Sequence, residues 1–498
     1  MSKKERIQGE AEVEASLYIG GEWRQASSGM EVRDPATGAV ISAVADGGPE
    51  DARAAVEAAT EAFKSWGQRP AAARAALLER LAVRLEAGAE EMRRCLIRES
   101  GKPGREAAGE IASSLTFLRW NAEESKRCYG RTVESSEPDL RLWTVQRPVG
   151  VAAIITPWNY PLNTLCRKLG PALAAGCTVI LKPAPETPLS AIKLVRMAAE
   201  VGFPPGVINL VTTSRAGEVV GAWLTDPRVR KIAFTGSTAV GKHLARESAA
   251  TLKRVSLELG GHAPAIVFAD ADLDRAAEGI VTSRFRHAGQ TCICVQRVLA
   301  EDAIIEPLLA RLAERISLLR VGNGEDPGVE VGPLIHEGAL ERVRAHLDDA
   351  VAHGARIVAG GQRLHLGSPN LGAFFQPTLL ADVSPEMRVM REETFGPLLA
   401  VSPFHGEEEA IKQANATSYG LAAYLFTNQA ARIHRLVERL EFGTIGINEV
   451  RIIHPGIPFG GVKDSGIGRE NGTEGIHEYL EVRSAVLHVP VAAPPNGA

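Results

Sequence analysis

The sequence predicts an α/β protein made of two or three packed domains. From residue 149 onwards, short β-branched segments alternate with alanine-rich helical stretches, which is typical of α/β units around a mainly parallel sheet. A second alternating block extends from residue 297 to about residue 443. The length of 498 residues also exceeds what one hydrophobic core usually organises.

The individual elements follow from hydrophobic spacing. Over residues 49–99, apolar side chains recur at three- and four-residue intervals among Arg and Glu, which predicts two amphipathic helices. Strands are predicted at residues 151–155, 178–181, 207–211, 232–234 and 265–268. Ligand sites in such folds lie at the carboxyl ends of the strands, so functional residues are expected just after these segments.

Charge and composition exclude several classes of partner. The formal net charge is −4 and no long basic block occurs, so a nucleic-acid partner is not expected. The first residues carry mixed charges and the apolar runs are broken by Pro and Gly, which predicts a cytoplasmic protein without a membrane segment. The six cysteines are scattered and lack zinc-ligand spacing, so no metal site is expected.

Cys292 is the candidate nucleophile. It follows the bend Gly289-Gln290-Thr291, where a thiol can face a cleft instead of packing in a strand. A lone cysteine in a large chain is more often part of an inert core, so this position alone does not establish chemistry. The interpretation depends on what accompanies it.

Two polar residues upstream suit the chemistry of a thiol nucleophile. Glu258 is a single carboxylate in an apolar strand that ends in paired glycines, and a desolvated carboxylate is a candidate general base. Asn159 lies between two prolines in a rigid turn, from which its amide can donate to an oxyanion. Alone, each also fits an ordinary turn residue or a strand-end surface charge.

Seven short motifs together resemble the aldehyde dehydrogenase superfamily. They stand in that family's order and spacing over roughly residues 17–488. The motifs are PWNYP at 157–161, LKP at 181–183, FTGS at 234–237, ELGG at 258–261, GQTC at 289–292, ETFGP at 393–397 and PFGG at 458–461.

The resemblance implies a covalent mechanism. Cys292 attacks an aldehyde as thiolate, and the oxyanion is held by the Asn159 amide and the Cys292 backbone N–H. Hydride loss to a nicotinamide leaves a thioester, which Glu258 resolves by taking a proton from water. Lys168 and Glu470 match family positions that help to relay this proton, although both also fit ordinary salt-bridge residues.

A glycine-rich turn after a predicted strand is the candidate phosphate-binding element. Residues 236–242 come close to a P-loop, but His243 stands where that motif needs Ser or Thr for Mg²⁺, so an NTPase is rejected. In the resembling family this turn brings Gly236 and Ser237 beside the pyrophosphate of the cofactor. Further cofactor contacts are assigned to Thr156, Pro157, Trp158, Lys182, Glu393 and Phe395.

The choice between NAD and NADP stays open at this stage. Lys182 is expected at the adenosine ribose, with Glu393 and Phe395 at the nicotinamide ribose and ring. Members that prefer NAD often place a Glu three residues after that Lys, where its charge repels a 2′-phosphate. Here Pro185 holds that place and Glu186 follows it, so Glu186 either substitutes for the missing carboxylate or points elsewhere.

Within the superfamily, the closest resemblance is to succinate-semialdehyde dehydrogenases. It rests on Arg167 beside Lys168, Arg286 before the nucleophile, and the pair Cys292 and Cys294. Two guanidinium groups at a pocket favour an aldehyde with an anionic tail, because each can hold a carboxylate bidentately. The alternative is that one or both arginines belong to structural ion pairs.

One loop departs from that subfamily. Residues 451–457 lack the serines that complete the carboxylate site, and His454 and Arg451 are the candidates to replace them beside Phe459. The alternative substrates are therefore glutarate semialdehyde, a sulfonated lactaldehyde, a phosphonate aldehyde such as phosphonoacetaldehyde, or an uncharged aldehyde. A disulfide between Cys292 and Cys294 is a further hypothesis, with a small buried side chain as its alternative.

The resemblance also implies the domain layout and the assembly. A Rossmann-type dinucleotide-binding domain is expected from residues 1–125 and 149–260, and an α/β catalytic domain from 261–460. Residues 126–148 and 461–498 would form a small β oligomerisation flap in a homodimer or homotetramer. Two other classes are alternatives: a thiol hydrolase using His287, and a relative without catalytic activity.

Overall fold

Two large β-sheets, each covered by helices, form the centre of the protein in the computed structural model, which describes residues 13–366 and 372–490. The predicted α/β class is confirmed. Parts of two predicted segments, residues 1–12 and 491–498, lie outside the described residues.

The helices occupy mainly the first half of the chain and the flanks of the second sheet. They are α1 Pro49–Trp66, α2 Ala71–Ala87, α3 Ala89–Ser100, α4 Gly104–Glu124, α5 Pro161–Ala175, α6 Leu189–Glu200, α7 Ala216–Thr225, α8 Thr238–Ser248, α9 Leu273–Phe285, α10 Ile305–Ser317, α11 Glu337–Ala352, α12 Gly406–Asn415, α13 Ala430–Arg439 and α14 Gly472–His477.

The strands are mostly short. They are β1 Val13–Glu14, β2 Leu17–Ile19, β3 Glu22–Arg24, β4 Gly29–Arg33, β5 Val40–Ala45, β6 Thr132–Val133, β7 Leu140–Pro148, β8 Val151–Ile155, β9 Thr178–Lys182, β10 Ile208–Leu210, β11 Val229–Thr235, β12 Arg254–Glu258, β13 Ala263–Val267, β14 Val295–Glu301, β15 Arg356–Ala359, β16 Arg363–Leu364, β17 Phe374–Phe375, β18 Thr378–Ala381, β19 Leu398–Phe404, β20 Ala422–Phe426, β21 Thr444–Ile447, β22 Gly466–Ile467 and β23 Leu480–His488.

The prediction of two helices over residues 49–99 was wrong in number, because three helices occupy this stretch. Pro70 precedes the first residue of α2, where a proline without an N–H is tolerated. Gly88 ends α2 and precedes α3, so a single glycine separates two helices that continuous apolar spacing had joined. The spacing of apolar residues cannot reveal such a break when the same face of both helices stays buried.

The first sheet has the order β22-β12-β11-β8-β9-β10-β2-β3, with five parallel strands at its centre. Strands β8 and β9 are buried along their whole length, as expected for parallel strands covered on both faces. Their carboxyl ends meet at one edge of the sheet. Thr235 and Glu258, which end β11 and β12, are directly paired there.

The second sheet has the order β15-β18-β19-β14-β13-β20-β21 and is parallel except for β15. It carries the segment between α9 and β14, where Cys292 lies. A third sheet, which we call the flap, pairs β23 with β7 over nine residues and adds β6. None of the described helices is long and apolar enough to cross a membrane.

Candidate active site

Two cavities meet at Cys292. The first, which we call the arginine cavity because Arg167 and Arg286 line it, measures about 280 Å³. The second, which we call the glycine cavity because Gly236 lines it, measures about 230 Å³. Asn159, Thr235 and Cys292 line both cavities, so a group held in either one can approach the same sulfur atom.

The backbone around Cys292 holds the thiol at the junction. His287 and Ala288 adopt left-handed conformations with φ of 49° and 53°, which are strained for residues other than glycine. A Cβ on Gly261 would lie 2.1 Å from the Cys292 carbonyl oxygen, so only glycine permits this approach. Burial, followed by the charges of Glu393 and Glu258, raises the pKa of the Cys292 thiol to about 12.

The amide of Asn159 is held in one orientation. Its Nδ2 donates to the Gln290 carbonyl oxygen at 2.9 Å, and its Oδ1 accepts from the Tyr160 N–H at 3.0 Å. An amide nitrogen carries two hydrogens, so one remains available for an oxygen atom in either cavity. The Lys102 ammonium donates to the Asn159 carbonyl at 2.8 Å, which anchors the turn before α5.

Glu258 is a buried carboxylate in the arginine cavity. It is 5% exposed, and its Oε2 has no hydrogen-bond partner among the described residues. Burial, followed by the charge of Glu470, raises the pKa of Glu258 well above its usual range. The carboxylate therefore has the high proton affinity that a general base requires.

Arg167 and Lys168 both pair with Glu470. The Arg167 guanidinium lies 2.7 Å from one carboxylate oxygen, and the Lys168 ammonium contacts the other as well as the Thr235 hydroxyl. Although burial opposes it, the two cations hold the pKa of Glu470 below its usual range. Arg167 also lies over the Phe459 ring, 4.4 Å from its centroid. Its charge is thus already compensated within the protein.

Arg286 is the second arginine of the cavity. Its Nε has no hydrogen-bond partner among the described residues, although the side chain is largely buried. The neighbouring Glu106 accepts the His287 N–H with both carboxylate oxygens, at 2.9 and 3.1 Å. Burial raises the pKa of Glu106 to about 7, which leaves its carboxyl group partly neutral near neutral pH. Sequence reasoning missed Glu106, since nothing in α4 distinguishes it from a surface acid.

The loop that departs from the subfamily contributes an apolar wall. Val450, Ile452 and Ile453 line the arginine cavity. Arg451 also reaches the lining, but it is exposed and pairs with Glu449 at 2.8 Å. The structure does not bring His454 into either cavity. Its side chain is exposed, and its Nδ1 accepts the Gly456 N–H in a local turn.

The glycine cavity contains six of the residues predicted to hold a dinucleotide: Pro157, Trp158, Gly236, Ser237, Glu393 and Phe395. Gly236 and Ser237 precede α8, so the N-terminal N–H groups of an eleven-residue helix face the cavity. Glu393 accepts the Gly261 N–H at 3.1 Å, and burial raises its pKa to about 7. The rings of Phe395 and Trp158 pack edge to face at 5.5 Å, with Pro157 beside them in the lining.

Lys182 and its neighbours lie further along the same sheet edge. Lys182 ends β9, donates to the Pro183 carbonyl at 2.8 Å, and has its pKa lowered to about 8 by burial. Its carbonyl accepts the Thr156 N–H at 3.1 Å. Pro185 and Glu186 are half-buried, and none of these residues lines either cavity.

Comparison with known proteins identifies the family. Residues 23–485 match the model of the Aldehyde dehydrogenase family. The chain belongs to this family. It is 47% identical over 473 residues to a 3-sulfolactaldehyde dehydrogenase of Pseudomonas putida, covering 94% of this chain and 96% of that protein. It is 47% identical over 489 residues to the mitochondrial succinate-semialdehyde dehydrogenase of Rattus norvegicus, covering 97% and 93%.

A solved structure agrees with this assignment. The crystal structure of an E. coli NADP-dependent enzyme superposes with a TM-score of 0.94 at 44% identity, covering 96% of this chain and 98% of that one. As an aldehyde dehydrogenase, the protein is an NAD(P)-dependent oxidoreductase acting on an aldehyde group. The predicted family, enzyme class and cofactor class are thereby confirmed.

Cys292, Glu258 and Asn159 line one cavity, which favours a catalyst over a relative without catalytic activity. The structure gives no support to a thiol hydrolase either. A thiol hydrolase needs a histidine bonded to its cysteine, but neither ring nitrogen of His287 has a hydrogen-bond partner among the described residues. The ring packs instead against Trp158 and Tyr160, and burial keeps its pKa well below the usual range. Cys292 and Cys294, for which a disulfide was only a hypothesis, are both free cysteines, and Cys294 is fully buried, as the alternative of a small buried side chain expects.

Proposed function

We propose that this protein oxidises an aldehyde with an anionic tail, such as succinate semialdehyde, to the carboxylic acid with NAD or NADP. The observation that carries the proposal is the arginine cavity, where Cys292, Asn159 and Glu258 lie together with Arg286. The first three residues suit the reaction of an aldehyde carbon, and Arg286 suits the binding of an anion.

In the first step, the Cys292 sulfur forms a bond to the aldehyde carbon while the thiol proton passes to solvent water. The carbonyl oxygen becomes an oxyanion. The free hydrogen of the Asn159 amide and the Cys292 backbone N–H stabilise this charge. Because the Gln290 and Tyr160 backbones fix the amide, no reorientation is needed when the charge develops.

After the aldehyde carbon has lost a hydride and become the thioester on Cys292, Glu258 accepts a proton from a water molecule that attacks this thioester. The C–S bond breaks, the acid leaves, and the released Cys292 thiolate regains a proton from solvent water. Glu470 and Lys168 lie beside this carboxylate in a buried ion pair. They are the groups that we propose to pass the proton on from Glu258 to solvent.

The glycine cavity is the proposed cofactor site. Gly236 and Ser237 would hold the pyrophosphate at the N-terminus of α8. Glu393 and Phe395 would position the nicotinamide ribose and ring. When bound, NAD(P)⁺ supplies the hydride acceptor. Lys182, with Thr156, Pro185 and Glu186, would meet the adenosine half. Residues 1–125 with 149–260 would thus form the dinucleotide-binding domain, and residues 261–460 the catalytic domain.

The anionic tail is proposed to bind Arg286 alone. Arg167 forms an ion pair with Glu470, although its Nε and Nη2 make no hydrogen bond among the described residues, whereas the Arg286 Nε lacks a hydrogen-bond partner and no ion pair holds this guanidinium there. The wall of Val450, Ile452 and Ile453 favours a second candidate substrate, an aldehyde with a longer or uncharged apolar chain.

Replacement of Arg286 separates these candidates. We expect Arg286→Met to lower kcat/KM for succinate semialdehyde roughly 10- to 100-fold, because a hydrogen-bonded ion pair is lost. The kcat/KM for butanal, which has the same chain length but no charge, should change less than about threefold. Initial rates at 340 nm with each aldehyde, with NAD and with NADP, provide the measurement.

Arg451→Met is the matched control, since Arg451 is an arginine of the same cavity that already pairs with Glu449. It should leave the ratio of the two specificity constants nearly unchanged. If wild-type enzyme oxidises butanal as efficiently as the semialdehyde, the apolar wall rather than Arg286 selects the substrate, and the anionic-tail proposal is wrong.

The flap is proposed to mediate assembly into a homodimer or homotetramer. β23 is an edge strand nine residues long, and Val482 and Val486 on one of its faces are 59% and 66% exposed. We expect Val482→Asp with Val486→Asp to reduce the mass measured by sedimentation at least twofold. Val83→Asp, which changes a similarly exposed valine of α2, should leave the sedimentation mass unchanged. A wild-type monomer would contradict the proposal.

A further inference from the structure

A buried ion pair lies behind the turn that carries Asn159. Lys102 is in the short segment between α3 and α4, Glu110 is on α4, and both side chains are completely buried with their charged groups in contact. Replacing a buried ion pair with uncharged residues of similar volume often leaves a protein equally stable, because desolvation of the two charges offsets their attraction. Stability alone therefore does not account for this pair.

Glu110 supplies the N-terminal cap that α5 lacks. This helix follows Tyr160, whose side chain accepts no capping hydrogen bond, and its first residue, Pro161, has no N–H. The next two N–H groups, those of Leu162 and Asn163, donate to Oε1 of Glu110 at 3.0 and 3.1 Å. A negative charge is favourable at this end of a helix. Through Glu110, α4 thus fixes the start of α5, which follows Asn159 by two residues.

Lys102 connects this cap to Asn159 itself. Its ammonium donates to Oε2 of Glu110 and, at 2.8 Å, to the backbone carbonyl of Asn159. It also lies over the Tyr160 ring, 4.4 Å from the centroid, so its contacts match its three hydrogens in number. The side-chain amide of Asn159 donates to the Gln290 carbonyl at 2.9 Å. Asn159 is therefore held at its backbone by Lys102 and at its side chain by the segment before Cys292.

We propose that Lys102 and Glu110 are positioning residues for the oxyanion donor, which hold the backbone of Asn159 where its free amide hydrogen meets the aldehyde oxygen. The inference rests on the proposed role of Asn159 in stabilising the oxyanion. Glu110 also lines the arginine cavity, but both of its oxygens already accept hydrogen bonds within the protein. A displacement of about 1 Å can lower a rate roughly 10²-fold, so the pair can act on catalysis through the backbone alone.

The test variant combines Lys102→Met with Glu110→Gln, which leaves no uncompensated charge in the interior. The glutamine keeps an oxygen that can accept the N–H groups of α5. The first turnover, measured at 340 nm by rapid mixing with saturating succinate semialdehyde or butanal, whichever the wild type oxidises faster, should slow roughly 10- to 100-fold. The Kd of NAD⁺ or NADP⁺, measured by calorimetry, should stay within about twofold of wild type. Lys102→Leu replaces Lys102→Met if the first combination does not fold.

A double-mutant cycle with Asn159→Ala separates positioning from a general loss of structure. Asn159→Ala alone should slow the first turnover roughly 10²- to 10³-fold, because one oxyanion donor is lost. When the two pair substitutions are added to Asn159→Ala, the further slowing should be less than about twofold, since the amide that they position is already absent. An equal fold-loss in both backgrounds would mean that the pair acts on packing or on substrate binding, and would overturn the inference.

Lys253→Met is the matched control. Lys253 is another buried lysine that donates to backbone carbonyls, those of Asp226 and Val229 at 2.6 and 2.9 Å, and it lines neither cavity. Its loss should lower the unfolding temperature and leave the first turnover within about twofold of wild type. A slowing as large as that of the pair variant would contradict a specific role for Lys102.

Asn159→Ala also distinguishes this inference from the function on which it rests. If Asn159→Ala reacts at the wild-type rate, the oxyanion role of Asn159 and the inference both fail. If Asn159→Ala is slow while the variant of Lys102 and Glu110 reacts like wild type, only the inference fails.

Discussion

Cys292→Ala should lower the steady-state rate of aldehyde oxidation by roughly 10⁴-fold or more, because no other described thiol lines either cavity. Without the sulfur, the aldehyde carbon cannot form the covalent bond from which hydride is lost. Cofactor affinity should stay within about twofold of wild type, since Cys292 is not needed to hold the ribose or pyrophosphate. The measurements are absorbance at 340 nm with succinate semialdehyde and calorimetry with the cofactor.

Cys95→Ala is the matched control. Cys95 is a buried cysteine of α3, outside both cavities. Its loss should cost about 1 kcal/mol of stability, as for other small deletions in a core, and leave kcat nearly unchanged. Substantial turnover by Cys292→Ala would require a mechanism without a cysteine thioester.

Glu258→Gln should lower the steady-state rate roughly 10²- to 10⁴-fold and make hydrolysis of the thioester the slow step. An amide has almost no affinity for the proton of an attacking water molecule, whereas the buried carboxylate has a raised proton affinity. Rapid mixing with aldehyde and cofactor should show a burst approaching one reduced cofactor per active site. Intact-mass spectrometry should then find the acyl group on Cys292.

Glu99→Gln is the matched control, because it replaces a buried glutamate that lies outside both cavities. Glu99 is fully buried with its pKa raised to about 7, and its carboxylate accepts the Leu189 and Ser190 N–H groups at the start of α6. Its replacement should reduce thermal stability and leave the kinetics without a burst. If Glu258→Gln turned over at the wild-type rate, another residue would have to activate the water.

The catalytic core could be predicted because its residues are marked by local sequence. Asn159 between two prolines, Glu258 before two glycines and Cys292 after a glycine bend each lie in a short, recognisable motif. The structure brings all three to one cavity at the carboxyl ends of parallel strands and the loops beside them. Strand ends were predictable where an apolar run stops at proline or glycine, as β9 and β11 do, but not for β10 and β13, which end before other residues.

The environment of the charged residues could not be predicted in this way. Arg167 and Glu470 are far apart in sequence, yet their ion pair removes one of two expected anion-binding groups. His454 looked suited to the pocket, but a local turn directs it to solvent. At residues 452 and 453 the sequence shows only that the serines of the subfamily are absent. The structure shows that the two isoleucines at these positions form a wall of the cavity.

The sequence by itself determined the family, the reaction class and the nucleophile, because these depend on short motifs whose order along the chain is enough to recognise them. Only the tertiary structure decided which charges are compensated and which are available. Arg167 forms an ion pair with Glu470, Arg286 forms no ion pair among the described residues, and Arg284 lies buried beside Cys294. The physical reason is that burial and ion pairing depend on segments that meet only in the folded chain, so no local pattern records them.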